Sequence, residues 1–132
     1  MVVKNNQKGF MALTSILIIS AITLSIAISI SLLGVGEAKS SLDYKKGGET
    51  LKIAEACVEE ALLRLKSDES YLGASLTVGD GLCNISVSGS GLDRTIDVTA
   101  QITNGISYTK KIQVTAKRTG TAINITGWNE TQ

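Results

Sequence analysis

From Phe10 to Gly36 the chain carries no charged side chain, an uninterrupted run of 27 residues in a protein of 132. At a helical rise of about 1.5 Å per residue such a run spans roughly 40 Å, more than the ~30 Å hydrocarbon core of a bilayer. Buried helices of small soluble proteins rarely stay uncharged for so long, so the run predicts a membrane-inserted helix. Its flanks set the direction. Lys4 and Lys8 precede the run, and the first charge after it is Glu37. Positive residues are retained on the cytoplasmic side, which places the short N-terminus inside and everything after the helix outside. An ordinary secretory signal has an apolar stretch of about 7–15 residues and an A-x-A-like exit. Here the stretch is too long, and the small residues at its far end are only Gly34 and Gly36. A plain uncleaved signal anchor fits these facts as well.

Composition narrows the chemistry. Thirteen Lys and Arg balance 12 Asp and Glu, so no charge excess points to nucleic acid or to an acidic tail. Histidine is absent, which removes the commonest general base and the commonest metal ligand together. No cofactor and no catalytic residue is implied. Proline is also absent, so nothing forces a kink in a long helix.

Beyond Glu37 the chain turns charged while its apolar residues keep a helical spacing. Leu51, Ala54, Val58, Ala61 and Leu65 fall at intervals of three and four and line up on one stripe, with Cys57 at its border. Glu60 and Arg64 sit four apart in the supportive order. Gly47-Gly48 interrupts the pattern and is expected to loosen the helix or end it briefly. The reading is one long helix from Phe10 to about Ser67, with a weak point at these glycines.

After Tyr71 the period changes to two. Cys83, Ile85 and Val87 alternate with polar residues, as do Ile96, Val98, Ala100 and Ile102. Asn104-Gly105 is a strong hairpin signal, because both residues tolerate positive φ. The returning arm holds Ile106, Tyr108, Ile112, Val114 and Ala116, with an uncertain register near Lys110-Lys111, and a last short strand covers Ala122 to Thr126. The expected fold is α+β: a long N-terminal helix, membrane-spanning in its first half and amphipathic in its outer half, packed on an antiparallel sheet of three to five strands. The divisions are 1–9 as leader, 10–36 as apolar helix, 37–67 as outer helix and 68–132 as β domain.

With one Phe and one Trp the core of such a domain is thin, and small cores often need a covalent staple. Cys57 on the helix and Cys83 on the first clear strand would join helix to sheet across 25 intervening residues. The external compartment permits the oxidation. Two buried free thiols are the alternative, while two cysteines without histidine fall short of a zinc shell.

Other motifs reduce to simpler readings. Cys57 beside Glu60 or Lys52 is helix-surface proximity. Val78-Gly79-Asp80-Gly81 and Ser88-Gly89-Ser90-Gly91 lie between strands and read as turns, not phosphate cradles. Asn84-Ile85-Ser86, Asn124-Ile125-Thr126 and Asn129-Glu130-Thr131 match the glycosylation sequon, a pattern that chance supplies in a chain this rich in Asn, Ser and Thr. Lys110-Lys111 and Lys117-Arg118 read as a solvated strand face before a basic patch. Trp128 is expected to cover the open end of the core, ahead of the alternative that it meets a neighbouring chain.

The boundary before the apolar run adds a family signal. Residues 7–13 read Gln-Lys-Gly-Phe-Met-Ala-Leu, so a short polar leader ends in Lys8-Gly9 and meets Phe10 at the start of the run. This resembles the class III signal of type IV prepilins and pseudopilins, and the helix-then-sheet plan of the whole chain is similar to that family's more loosely. The resemblance implies cleavage between Gly9 and Phe10 by a prepilin peptidase, N-methylation of Phe10, and assembly with other pilin subunits on an inner-membrane platform. Membrane lipid would hold the helix before assembly. The family usually has a glutamate at the fifth mature position, where this chain has Thr14. That glutamate pairs with the N-terminal amine of a neighbour, and a lone buried charge would cost several kcal/mol. Thr14 cannot make the pair, which implies a minor or tip-proximal subunit. Alternatively, Thr14 is simply tolerated, its hydroxyl bonded one turn back. The rival of a different class is a signal-anchored binding module that never polymerises.

Overall fold

The computed structural model describes residues 6–131. One helix and five strands account for nearly all of them: α1 (Asn6–Ser67), β1 (Gly73–Val78), β2 (Gly81–Ser88), β3 (Asp93–Asn104), β4 (Ile106–Thr119) and β5 (Ala122–Thr131). The strands form a single antiparallel meander in the order β1-β2-β3-β4-β5. This is the expected α+β plan, a long N-terminal helix packed on an antiparallel sheet. Residues 1–5 of the expected leader, with Lys4, lie outside the described residues.

The chain divides into two compact units after Leu42. The first is helical, and its large apolar side chains from Phe10 to Val35 all face outward. The second begins at Asp43 and holds the rest of α1 with the sheet. There four of the five stripe residues, Ala54, Val58, Ala61 and Leu65, are fully buried with Ile53 and Cys57 beside them, while Leu51 is only partly buried against the same core. Opposite lie Cys83, Ile85 and Val87 of β2, Ile96, Val98, Ala100 and Ile102 of β3, and Ile112 and Val114 of β4. Strict period-two burial on β2 shows that one face of the sheet meets the helix and the other meets water. Burying each Val, Leu or Ile contributes roughly 1.5–3 kcal/mol.

Several local expectations are corrected. Gly47-Gly48 does not end the helix, because α1 runs through both glycines without a break. β1 is a full strand with no counterpart among the expected alternations; its residues Gly73–Val78 include small side chains and alternate only weakly. Near Lys110-Lys111 there is no irregularity: Val98↔Ile112, Thr99↔Lys111 and Ala100↔Lys110 pair in one continuous register. The irregularity lies further on, as a shift between Thr115 and Ala116 where β4 meets β5. The hairpin at Asn104-Gly105 forms, but only Gly105 takes a positive φ, of 84°. β5 continues five residues past Thr126, to Thr131, and so takes in Trp128.

Candidate functional site

Gly9 and Phe10 lie within α1, both exposed, and a Cβ added at Gly9 would meet nothing within 4 Å. Phe10 therefore stands on an open helical surface. Thr14 Oγ1 donates to the carbonyl oxygens of Phe10 at 3.1 Å and Met11 at 3.0 Å. The same device recurs along the segment. All seven hydroxyls between Phe10 and Gly36 (Thr14, Ser15, Ser20, Thr23, Ser25, Ser29, Ser31) donate to a carbonyl three or four residues back. In an apolar medium an unsatisfied hydroxyl is costly, and local back-bonding removes that cost without a partner helix. This segment is long and apolar enough to cross a membrane.

Within the second unit, Cys57 and Cys83 form a disulfide with their Cα atoms 6.7 Å apart. The two residues are 1% and 0% exposed, so the bond sits inside the core, where helix and sheet meet. Above it, the helix is held to the sheet by polar contacts at either end. Tyr108 Oη donates to Asp43 Oδ1 at 2.6 Å, and this bond to the carboxylate holds the phenol above its ordinary pKa. Beyond Ser67, Arg118 pairs with Glu69 at 2.6 Å. Asp68 Oδ1 accepts from the Ser70 hydroxyl at 2.6 Å and the Ser70 backbone N–H at 2.9 Å. Those two bonds draw its carboxyl below the usual range. The Glu60–Arg64 pair forms at 2.7 Å on the exposed helix face.

Trp128 does not close the core. It stands on edge strand β5, 44% exposed, and its indole N–H points to Glu130 Oε1 at 3.3 Å. The reason is topological: α1 covers the middle strands, and on β5 Ile123 is half-buried against the core while the part that carries Trp128 is left uncovered. Ile125 on β5 is 51% exposed and Leu63 on the helix is 62% exposed. Between these two elements runs an open groove of about 470 Å³ lined by Glu59, Leu62, Leu63, Lys66 and residues 121–123 and 125. A short strand over Ala122 to Thr126 was legible, but how little of it the helix would cover was not.

The set-aside motifs find structural explanations. Asn84, Asn124 and Asn129 are all exposed on strands, as are Ser86, Thr126 and Thr131 two residues on. Strand alternation puts residues i and i+2 on the same solvated face, so polar outer faces generate sequons by themselves. Lys111 and Lys117 are exposed while Lys110 and Arg118 are half-buried on the opposite face. Alternation thus divides each basic pair between two faces. Among the described residues no group of three His, Cys, Asp or Glu side chains is placed to share a metal ion.

Neither the protein-family models, nor the curated proteins, nor the solved structures contain a match to this chain.

Proposed function

We propose that the chain is a structural subunit of a type IV pilus-like or type II secretion pseudopilus filament, made as a precursor and matured between Gly9 and Phe10. The observation that carries this reading is the junction itself. A polar leader ending in Lys8-Gly9 meets Phe10 at the mouth of an uncharged run of 27 residues, and that run is continuous in one helix with the amphipathic stretch of α1 that seats a small sheet. Cleavage on the cytoplasmic side of such a helix leaves the anchor attached, which a secretory cleavage would not.

The mechanism is mechanical. The precursor inserts with its N-terminus inside, the peptidase frees and methylates Phe10, and the domain folds and is oxidised outside. The helix then waits in the bilayer with its hydroxyls satisfied internally. An assembly platform draws it from lipid into a bundle of similar helices, where small residues permit close approach. Thr14 in place of an acid leaves no charge to pair with a neighbour's amine, which favours a minor or tip-proximal position.

Shearing surface filaments from the native cell and quantifying the chain against the most abundant subunit tests this. The expected result is a chain present in the filament fraction at a small fraction of the main subunit. Complete retention in the membrane fraction would sink the filament reading. Recovery as the most abundant chain would keep that reading and remove the tip position.

A further inference from the structure

The second unit contains a helical stretch whose sequence works against its structure. Gly47 and Gly48 sit inside α1, and a Cβ built at either would meet nothing within 4 Å. Neither glycine is needed for close packing, so alanine would fit at both. Each glycine disfavours the helix relative to alanine by about fivefold, and the pair by roughly thirtyfold. Helix-interior glycines without a packing role leave the chain easy to open at that point.

Both sides of the pair are held. On the C-terminal side Thr50 is fully buried and Cys57 is tied to Cys83. On the N-terminal side, among the described residues, the one hydrogen bond to the sheet is Tyr108 Oη to Asp43, 2.6 Å, on an exposed surface. Across the glycines run Lys46 Nζ to Glu49 at 2.9 Å and Thr50 Oγ1 to the Lys46 carbonyl at 2.8 Å. The second of these competes with the helix's own ladder, a pattern that bends helices.

We infer that Gly47-Gly48 is a built-in opening point, latched by Tyr108–Asp43, at which the turn Asp43–Lys46 leaves the sheet while Thr50–Leu65 stays seated. Release of the latch, of the Lys46–Glu49 pair and of the Thr50–Lys46 bond, with rupture of the four backbone bonds from residues 47–50 to the carbonyls of residues 43–46, suffices for the motion. No core side chain has to move. This device is independent of whether the chain assembles into a filament.

Amide hydrogen exchange of the full chain in detergent micelles tests it, comparing the parent with G47A/G48A and with Y108F. The expected result is exchange at residues 47–51 slowed roughly thirtyfold in G47A/G48A, with residues 54–65 unchanged. Y108F accelerates exchange at 43–51 and leaves 54–65 alone. The inference is overturned if G47A/G48A stays within about twofold of the parent at 47–51, or if Y108F speeds exchange equally through 54–65. In the first case the helix does not open there. In the second, the latch is simply part of global stability.

Discussion

Replacing both cysteines, C57A/C83A, is the perturbation that most sharply separates a stapled domain from a self-sufficient one. The bond closes a loop with a sequence separation of 26. Chain entropy assigns such a closure roughly 3.5 kcal/mol of stabilisation through the unfolded state. Both residues are essentially unexposed, so the two lost sulfur atoms also leave a small void, and its cost adds to the entropic one. For a unit of about 90 residues each kcal/mol shifts Tm by about 4–8 °C, which gives a fall of roughly 15–25 °C. Thermal unfolding of the full chain in detergent, followed by circular dichroism of the sheet, reads it. Reducing the parent with excess dithiol before heating should produce a comparable fall. A shift under about 5 °C in both experiments would refute the argument that this core is too thin to stand without its staple.

Other expectations test the packing and the electrostatics. Leu65→Ala removes a fully buried side chain from the stripe and should cost about 2–5 kcal/mol in denaturant unfolding. Gly73 has φ of 123° with the Ile85 carbonyl against it, whereas a Cβ at Gly81 would press mainly on the movable Ile53 Cδ1 and the Ile102 side chain. G73A should therefore destabilise more than G81A in the same assay. The Asp68 carboxyl is held below its ordinary range by bonds from Ser70. Its contribution is present at neutral pH and fades as pH falls through the carboxylate range, so D68A should flatten the acid limb of the Tm–pH profile. The Tyr108 phenol is raised by its bond to Asp43, so that contribution holds at neutral pH and disappears only as pH rises through the raised value. Y108F should remove this alkaline dependence, and an unchanged alkaline limb would contradict the bond.

How far the sequence carried the fold depended on the range of the interaction. The stripe Leu51, Ala54, Val58, Ala61 and Leu65 and the alternation of β2 and β3 are local periodicities, and the buried side chains follow them except at half-buried Leu51. The Glu60–Arg64 pair is equally local. The position of Trp128 was not legible, because it depends on which strands the helix covers, and no spacing along β5 encodes that. β1 was hidden for a related reason. Its small side chains give little hydrophobic contrast, and it is fixed by pairing Leu76 with Cys83 and Ala74 with Ile85. Gly47-Gly48 reads as a weak point that loosens one long helix or ends it briefly, because propensity alone disfavours helix there. In the structure the neighbouring buried turn, beginning at Thr50, outweighs that preference. At the candidate processing site the informative features were residue identity and order, Lys8-Gly9-Phe10 before an uncharged run. Exposure of Gly9 and Phe10 on the helix adds only that the bond is not enclosed by the fold.

Intact mass and N-terminal sequencing of the chain extracted from the membranes of its native cell test the central claim most directly. The account predicts a mature chain that begins at Phe10, carries one added methyl group on its amine, and is two hydrogens lighter than the reduced form because Cys57 and Cys83 are joined. A chain that still begins at Met1 would contradict it and leave an uncleaved anchor in its place.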